Sequence, residues 1–264
     1  MKKLNEYTNM ILRKIKIFLL KNFFIRNLYT LSNPGLDMIY NKEDLNEDYY
    51  TKIKERDDRE TEHQIGRIIN YRKILSEINR NKLPGDIIEF GSWKGFSLLW
   101  IAHLAERAGL FTKKIVAIDS FLGLPNDEGI FKKGHFKNTS FQKCYSNIKY
   151  SKDLYPITKK NIYIKKFLFS QKDAILEMLT KIPTQKFCFI HIDCDISSSI
   201  NEIFCILREG DLLNDTCYLL FDDYGVIDSY KNTVDSLLKT LENQWTIEEH
   251  SSTNLTKNFL LKKI

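Results

Sequence analysis

The 264 residues are 43% hydrophobic and 28% charged, a globular composition long enough for one large α/β domain and an attached segment. The formal net charge is +6, and residues 1–30 alone carry seven basic side chains (Lys2, Lys3, Arg13, Lys14, Lys16, Lys21, Arg26) against one acid, Glu6. The remainder is close to neutral, which speaks against a nucleic-acid enzyme with a broad basic groove.

In chain order, residues 1–30 read as a basic helix with Ile11, Ile15, Phe18, Ile25 and Tyr29 tracking one face. No signal peptide is expected: Lys16 breaks the apolar stretch Ile15–Leu20, and no small-residue cleavage site follows. No run approaches the roughly 20 apolar residues of a membrane span. Ser32-Asn33-Pro34-Gly35 is a turn, residues 36–62 are polar, and a second helix is predicted over about 61–80, ended by Leu83-Pro84-Gly85. This divides the chain into a helical extension, 1–82, and a domain, 83–264. The arm would pack on a second subunit of a homo-oligomer or cover the site; alternatively, its basic face would lie on an anionic membrane surface.

From Asp86 the rhythm changes to alternating strands and helices. Strands are predicted at Asp86–Phe90, Ile115–Ile118, 161–169, Phe187–Ile192 and Cys217–Phe221, with helices at Phe96–Ala108, 171–181, 198–209 and 229–242. A long loop bearing Gly123, Gly129 and Gly134 follows the second strand. Trp245–Glu249 and Asn258–Lys262, joined by a polar turn, close the chain as an antiparallel hairpin. The pattern is a doubly wound, mostly parallel sheet covered on both faces. Five cysteines (Cys144, Cys188, Cys194, Cys205, Cys217) form no CxxC pair and no zinc spacing, which reads as free thiols in a reducing, cytoplasmic setting.

Three signals carry chemistry. Glu89-Phe90-Gly91-Ser92-Trp93-Lys94-Gly95 joins the first strand to a helix; its glycines allow a tight turn and close ligand approach, although they could serve packing alone. Asp119 ends the second strand, where a carboxylate can accept both hydroxyls of a ribose or merely cap a turn. The third signal is acidic: Asp193 and Asp195 follow strand four, and Asp222 and Asp223 follow strand five. Neighbouring parallel strand ends converge, and carboxylates that close call for a hard divalent cation such as Mg²⁺; helix caps and turns are the plainer alternative.

Residues 86–264 resemble the macrocin O-methyltransferase family of bacterial sugar methyltransferases, within the class I S-adenosylmethionine-dependent fold. The resemblance rests on Ile88-Glu89-Phe90-Gly91, Asp119-Ser120-Phe121 with Gly123-Leu124-Pro125, Ile192-Asp193-Cys194-Asp195 and Asp222-Asp223-Tyr224. It implies a Rossmann-like seven-stranded sheet with a reversed last strand. It also implies methyl transfer from S-adenosylmethionine to a hydroxyl of a sugar or glycan-type acceptor. The cofactor's methionine end would lie near Glu89 and Gly91, with Ser92, Gly95 and Ser120 in the same loops, its ribose on Asp119, and its adenine beside Ser170-Gln171. Asp193, Asp222 and Asp223 would hold the metal. Ser197 departs from the family, which often has an aromatic residue there. Asp193 and Asp195 are the nearest candidates for a base, with His191 and His135 weaker. A nicotinamide-dependent oxidoreductase or epimerase, or a membrane-peripheral scaffold, are the rival readings; neither accounts for the paired aspartates.

Overall fold

The structure is a computed structural model that describes residues 58–184, 186–253 and 255–264. The helix expected over 1–30, the Ser32–Gly35 turn and the polar segment up to residue 57 lie outside them.

Helix α1 (Asp58–Arg80) leads into β1 (Asp86–Phe90), α2 (Phe96–Arg107) and β2 (Ile115–Asp119). After a long loop come α3 (Phe141–Lys149), α4 (Pro156–Lys160), β3 (Ile162–Lys166), α5 (Lys172–Thr180) and β4 (Phe187–Ile192). The chain continues through α6 (Ser197–Glu209), β5 (Leu213–Phe221), α7 (Asp228–Lys239), β6 (Trp245–Ser252) and β7 (Lys257–Lys263). The sheet order is β3-β2-β1-β4-β5-β7-β6, parallel from β3 to β5, with β7 antiparallel to both β5 and β6. This is the doubly wound seven-stranded sheet with a closing hairpin that the sequence predicts.

The parallel centre is apolar because both of its faces are covered. Ile88, Phe90, Val116, Ile118, Ile190 and Ile192 point to one face, toward α5, α6 and α7. Ile87, Ile115, Ala117, Phe189 and Leu220 point to the other and pack on α1 and α2. Every side chain of β4 is buried. Tyr71, Ile74, Leu75 and Ile78 of α1 are fully buried in the second core. Although α1 falls within the segment expected as an extension, its apolar face is part of the domain's packing.

Two short helices, α3 and α4, stand where no element was predicted. Ser140 caps α3 by accepting from Lys143 N at 3.1 Å, and Cys144 and Ile148 are its buried face. Pro156 opens α4 at a position where its missing N–H costs nothing. Among the described residues, no helix is long and apolar enough to cross a membrane.

Candidate active site

At the carboxyl ends of the parallel strands, turns converge around a cavity of about 800 Å³. The first turn follows β1. Gly91 has φ +86°, and a Cβ built there would stand 1.7 Å from the backbone oxygen of Asp193. No side chain fits, because β1 and β4 run in register to this point and Asp193 N donates to Phe90 O. Three non-glycine residues in the turns after β1, β2 and β4 also take left-handed backbone: Trp93, Phe121 and Asp195, with φ of 43°, 54° and 61°. Such strain concentrates where a site over-determines the backbone.

Asp119 braces the glycine turn. Its Oδ2 accepts from Ser92 N at 2.8 Å and Trp93 N at 2.7 Å, and its Oδ1 accepts from Phe121 N at 2.6 Å. A carboxylate has about four acceptor positions, so most of this one's capacity is already used. Asp119 lines the cavity with Gly91, Ser92, Ser120 and Ser170. Gly95 sits just behind the wall, under Cys144.

Three residues expected at the cofactor do not line the cavity: Gly95, Glu89 and Gln171. Glu89 is fully buried, with Oε2 accepting from Ser92 Oγ at 2.6 Å and Oε1 facing His191 Nδ1 at 3.0 Å. Gln171 precedes α5, and its Oε1 accepts from Leu168 N rather than facing inward.

The acidic rim splits into two parts. Asp193, Asp195 and Asp223 each offer an oxygen within 4.8 Å of the others. Asp223 Oδ2 is buried without a hydrogen-bond partner. Burial and the charge of Asp222 raise Asp193 to about 6. Burial, followed by the neighbouring Asp193, pushes Asp195 well above the usual carboxylate range, and burial with Asp195 does the same to Asp223. Asp222 departs from the expected ligand set. Its Oδ2 lies 2.5 Å from Arg67 Nη1, and its Oδ1 lies 3.2 Å from His63 Nε2. Burial would raise its pKa, but the Arg67 guanidinium and, after it, the contact with His63 outweigh burial and hold it below the usual range.

His191 is removed from the set of bases. It is fully buried, with Nδ1 on Glu89 and Nε2 3.0 Å from the Tyr71 hydroxyl. Alternation along β4 turns it to the face opposite Ile190 and Ile192, away from the cavity. His135 is exposed on the long loop, where its Nδ1 accepts from Lys132 N; it does not line the cavity.

Sequence reasoning missed His63, Arg67 and Glu128. The first two lie on a strongly charged helix, where nothing local marks them. Glu128 ties the long loop to two helix starts. It accepts from Ser197 N at 2.8 Å, from Ser197 Oγ at 2.5 Å and from Ser229 Oγ at 2.6 Å. Ser197, the departure from the family, is thus a partner of that loop.

The profile of the family described as macrocin O-methyltransferase (TylF) matches residues 51–248. No curated protein sequence matches the chain. Among solved structures, the O-methyltransferase NovP is similar with a TM-score of 0.61 at 18% identity, over 76% of this chain and 81% of that one. The calicheamicin methyltransferase CalS11 is similar with a TM-score of 0.56 at 14% identity, over 88% of this chain and 89% of that one. These likenesses show a shared fold. The family match runs from α1 through every strand of the rim and leaves no place for the oxidoreductase or scaffold readings: the chain belongs to the macrocin O-methyltransferase family and is an O-methyltransferase.

Proposed function

We propose that the enzyme transfers a methyl group from S-adenosylmethionine to a hydroxyl of a sugar or glycan-type small molecule, with a divalent cation such as Mg²⁺ at the acidic rim. The observation that carries this reading is the meeting of a braced glycine turn and a partly unsatisfied carboxylate cluster at one cavity. The sugar class follows from the family.

The donor side is the turn after β1 with Asp119, Ser120 and Ser170. Asp119 would meet the ribose with its remaining acceptor capacity or by yielding a backbone partner. Gly91 lets the donor lie against backbone, and Ser92 is held by Glu89 from behind. The carboxylates fit a hard cation: three oxygens converge and one buried oxygen lacks a partner. Asp193 and Asp223 would hold it; when bound, it would lower the pKa of an acceptor hydroxyl and fix its position.

Asp195 is the proposed base. It lines the cavity, and burial with the charge of Asp193 raises its pKa, which makes it a stronger base than an ordinary carboxylate. When bound, S-adenosylmethionine would supply the electrophilic methyl group and leave as S-adenosylhomocysteine, and Asp195 would take the proton that the acceptor hydroxyl loses on becoming a methyl ether. Alignment of oxygen, methyl and sulfur supplies most of the acceleration, because the sulfonium is already a reactive donor. The long loop, through Leu124, Ile130 and Phe136, would offer the acceptor an apolar wall.

The cytoplasmic setting, the homo-oligomer and the role of residues 1–30 as subunit contact or site cover (or as a membrane-surface helix) complete the proposal. The test is mass spectrometry of glycan and activated-sugar extracts incubated with enzyme and isotopically labelled S-adenosylmethionine, with and without chelator. A labelled sugar product that disappears on chelation, while cofactor binding persists, is the expected result. Label on no sugar, or full turnover in excess chelator, would overturn the acceptor or the cation respectively.

A further inference from the structure

Helix α1 sends a positive charge into the acidic rim from outside the central strands. The Arg67 side chain is only 8% exposed, and its Nη1 lies 2.9 Å from Asp193 Oδ2 and 2.5 Å from Asp222 Oδ2. The guanidinium carbon stands 5.9 Å from the centre of the Phe96 ring, which steadies it from the α2 side. One turn earlier His63 approaches Asp222, and one turn later Tyr71 meets His191. Residues 63, 67 and 71 therefore form one face of α1, seated on the ends of β4 and β5. Across the rim, Asp223 Oδ2 remains buried without a partner, so the cluster's demand for positive charge is only partly met.

We propose that Arg67 and the divalent ion compete for Asp193, so that ion occupancy is coupled to how α1 sits on the rim. The inference rests on the cation part of the proposed function. A fixed guanidinium this close to shared carboxylate oxygens repels an incoming cation and occupies the lone pairs it would use. The coupling is reciprocal: an ion that draws on Asp193 weakens the tie holding α1 by the same factor that Arg67 weakens the ion. The site then binds its ion weakly and exchangeably, and ion binding loosens the α1 side of the cavity, where Arg67 and His63 form part of the wall.

The experiment is calorimetric titration of Mn²⁺ into the full chain, as wild type, Arg67→Met and Arg67→Lys. Binding of S-adenosylhomocysteine checks that each variant is folded. Hydrogen exchange over residues 58–71 is followed with and without Mn²⁺. Arg67→Met is expected to bind Mn²⁺ about tenfold tighter or more, within the usual span of coupling between sites. Arg67→Lys, which keeps a charge but on a shorter side chain that reaches the two carboxylates less closely, should fall between the two and carries the test if the methionine variant does not fold. In the wild type, Mn²⁺ should speed exchange in α1. Equal Mn²⁺ affinity in all three proteins, or exchange in α1 that Mn²⁺ leaves unchanged or slows, overturns the competition. Absence of Mn²⁺ binding in every protein sinks the cation reading itself, and the competition with it.

Discussion

Glu89 and His191 stand opposite each other in the register of β1 and β4, joined through Oε1 and Nδ1 at 3.0 Å with neither side chain exposed. Nδ1 of His191 faces the Glu89 carboxyl, and Nε2 faces the Tyr71 hydroxyl. A buried chain of polar contacts thus runs from Tyr71 on α1 through His191 and Glu89 to Ser92 in the glycine turn. It anchors the glycine turn to the same helix that reaches the acidic rim.

Replacing Glu89 with Ala should therefore cost about 3 kcal/mol of stability, because the Ser92 hydroxyl and His191 lose a buried partner in the core. Urea unfolding would measure it. The variant should also bind S-adenosylhomocysteine more weakly, since Ser92 lines the cavity. A loss below about 1 kcal/mol, the scale of an ordinary exposed contact, would mean the chain of contacts holds nothing in place.

Gly91→Ala should be more severe than its single added methyl suggests. The new Cβ meets the Asp193 carbonyl oxygen at 1.7 Å, and φ is +86°. Backbone must move on both strands, at a cost above about 2 kcal/mol. Loss of cofactor binding together with a lowered Tm is the expected outcome; unchanged binding would show that the turn adapts freely.

Glu128→Ala should loosen the long loop without touching the donor side. Three hydrogen bonds to Ser197 and Ser229 disappear, along with a negative charge at the starts of α6 and α7. The KM for the acceptor should rise about tenfold, the worth of one or two hydrogen bonds to a charged group, while affinity for S-adenosylhomocysteine stays within about twofold, well inside 1 kcal/mol. Equal losses on both sides would point to a general change in the fold.

Stability against pH should report on Glu77, which links α1 to the closing hairpin. The Tyr218 hydroxyl donates to its Oε2 at 2.8 Å, and His250 Nε2 lies 2.7 Å from the same oxygen. Partial burial opposes ionisation, but these partners outweigh it and lower the Glu77 pKa from its ordinary 4.5. A depressed folded-state pKa stabilises above the unfolded value and is lost as pH falls through the folded one. Glu77→Gln should thus lower Tm at neutral pH, and its difference from wild type should shrink below about pH 4. A difference that stays constant from pH 7 to pH 3 would rule out this linkage.

The strand–helix alternation from Asp86 onward was legible because apolar runs bounded by glycine and acidic turns have few other uses. The glycine turn and the four aspartates were legible for the same reason: parallel strands end in one place, so short motifs after β1, β2, β4 and β5 must converge. The helices at 141–160 were not, because the segment forms helices of only nine and five residues, too short for apolar spacing to tell them from a loop. Its packing under Gly95 supplies what the local pattern lacks. The catalytic prospects of His191 were likewise undecided until β4's alternation met a specific neighbour, Glu89, on the face away from the cavity.

The sequence by itself determined the sheet, its closing hairpin, the glycine turn and the set of acidic residues at the rim, since these depend on local pattern and on the rules of strand connection. Only the tertiary structure decided how the four carboxylates divide. Asp222 is held by Arg67 and His63 from a helix more than 140 residues earlier in the chain, the same Arg67 also reaches Asp193, and Asp195 and Asp223 face Asp193 without a cation of their own. The physical reason is that charge pairing is set by distances of a few ångströms between elements remote in sequence, and no periodicity along the chain encodes which helix face will rest on which strand end.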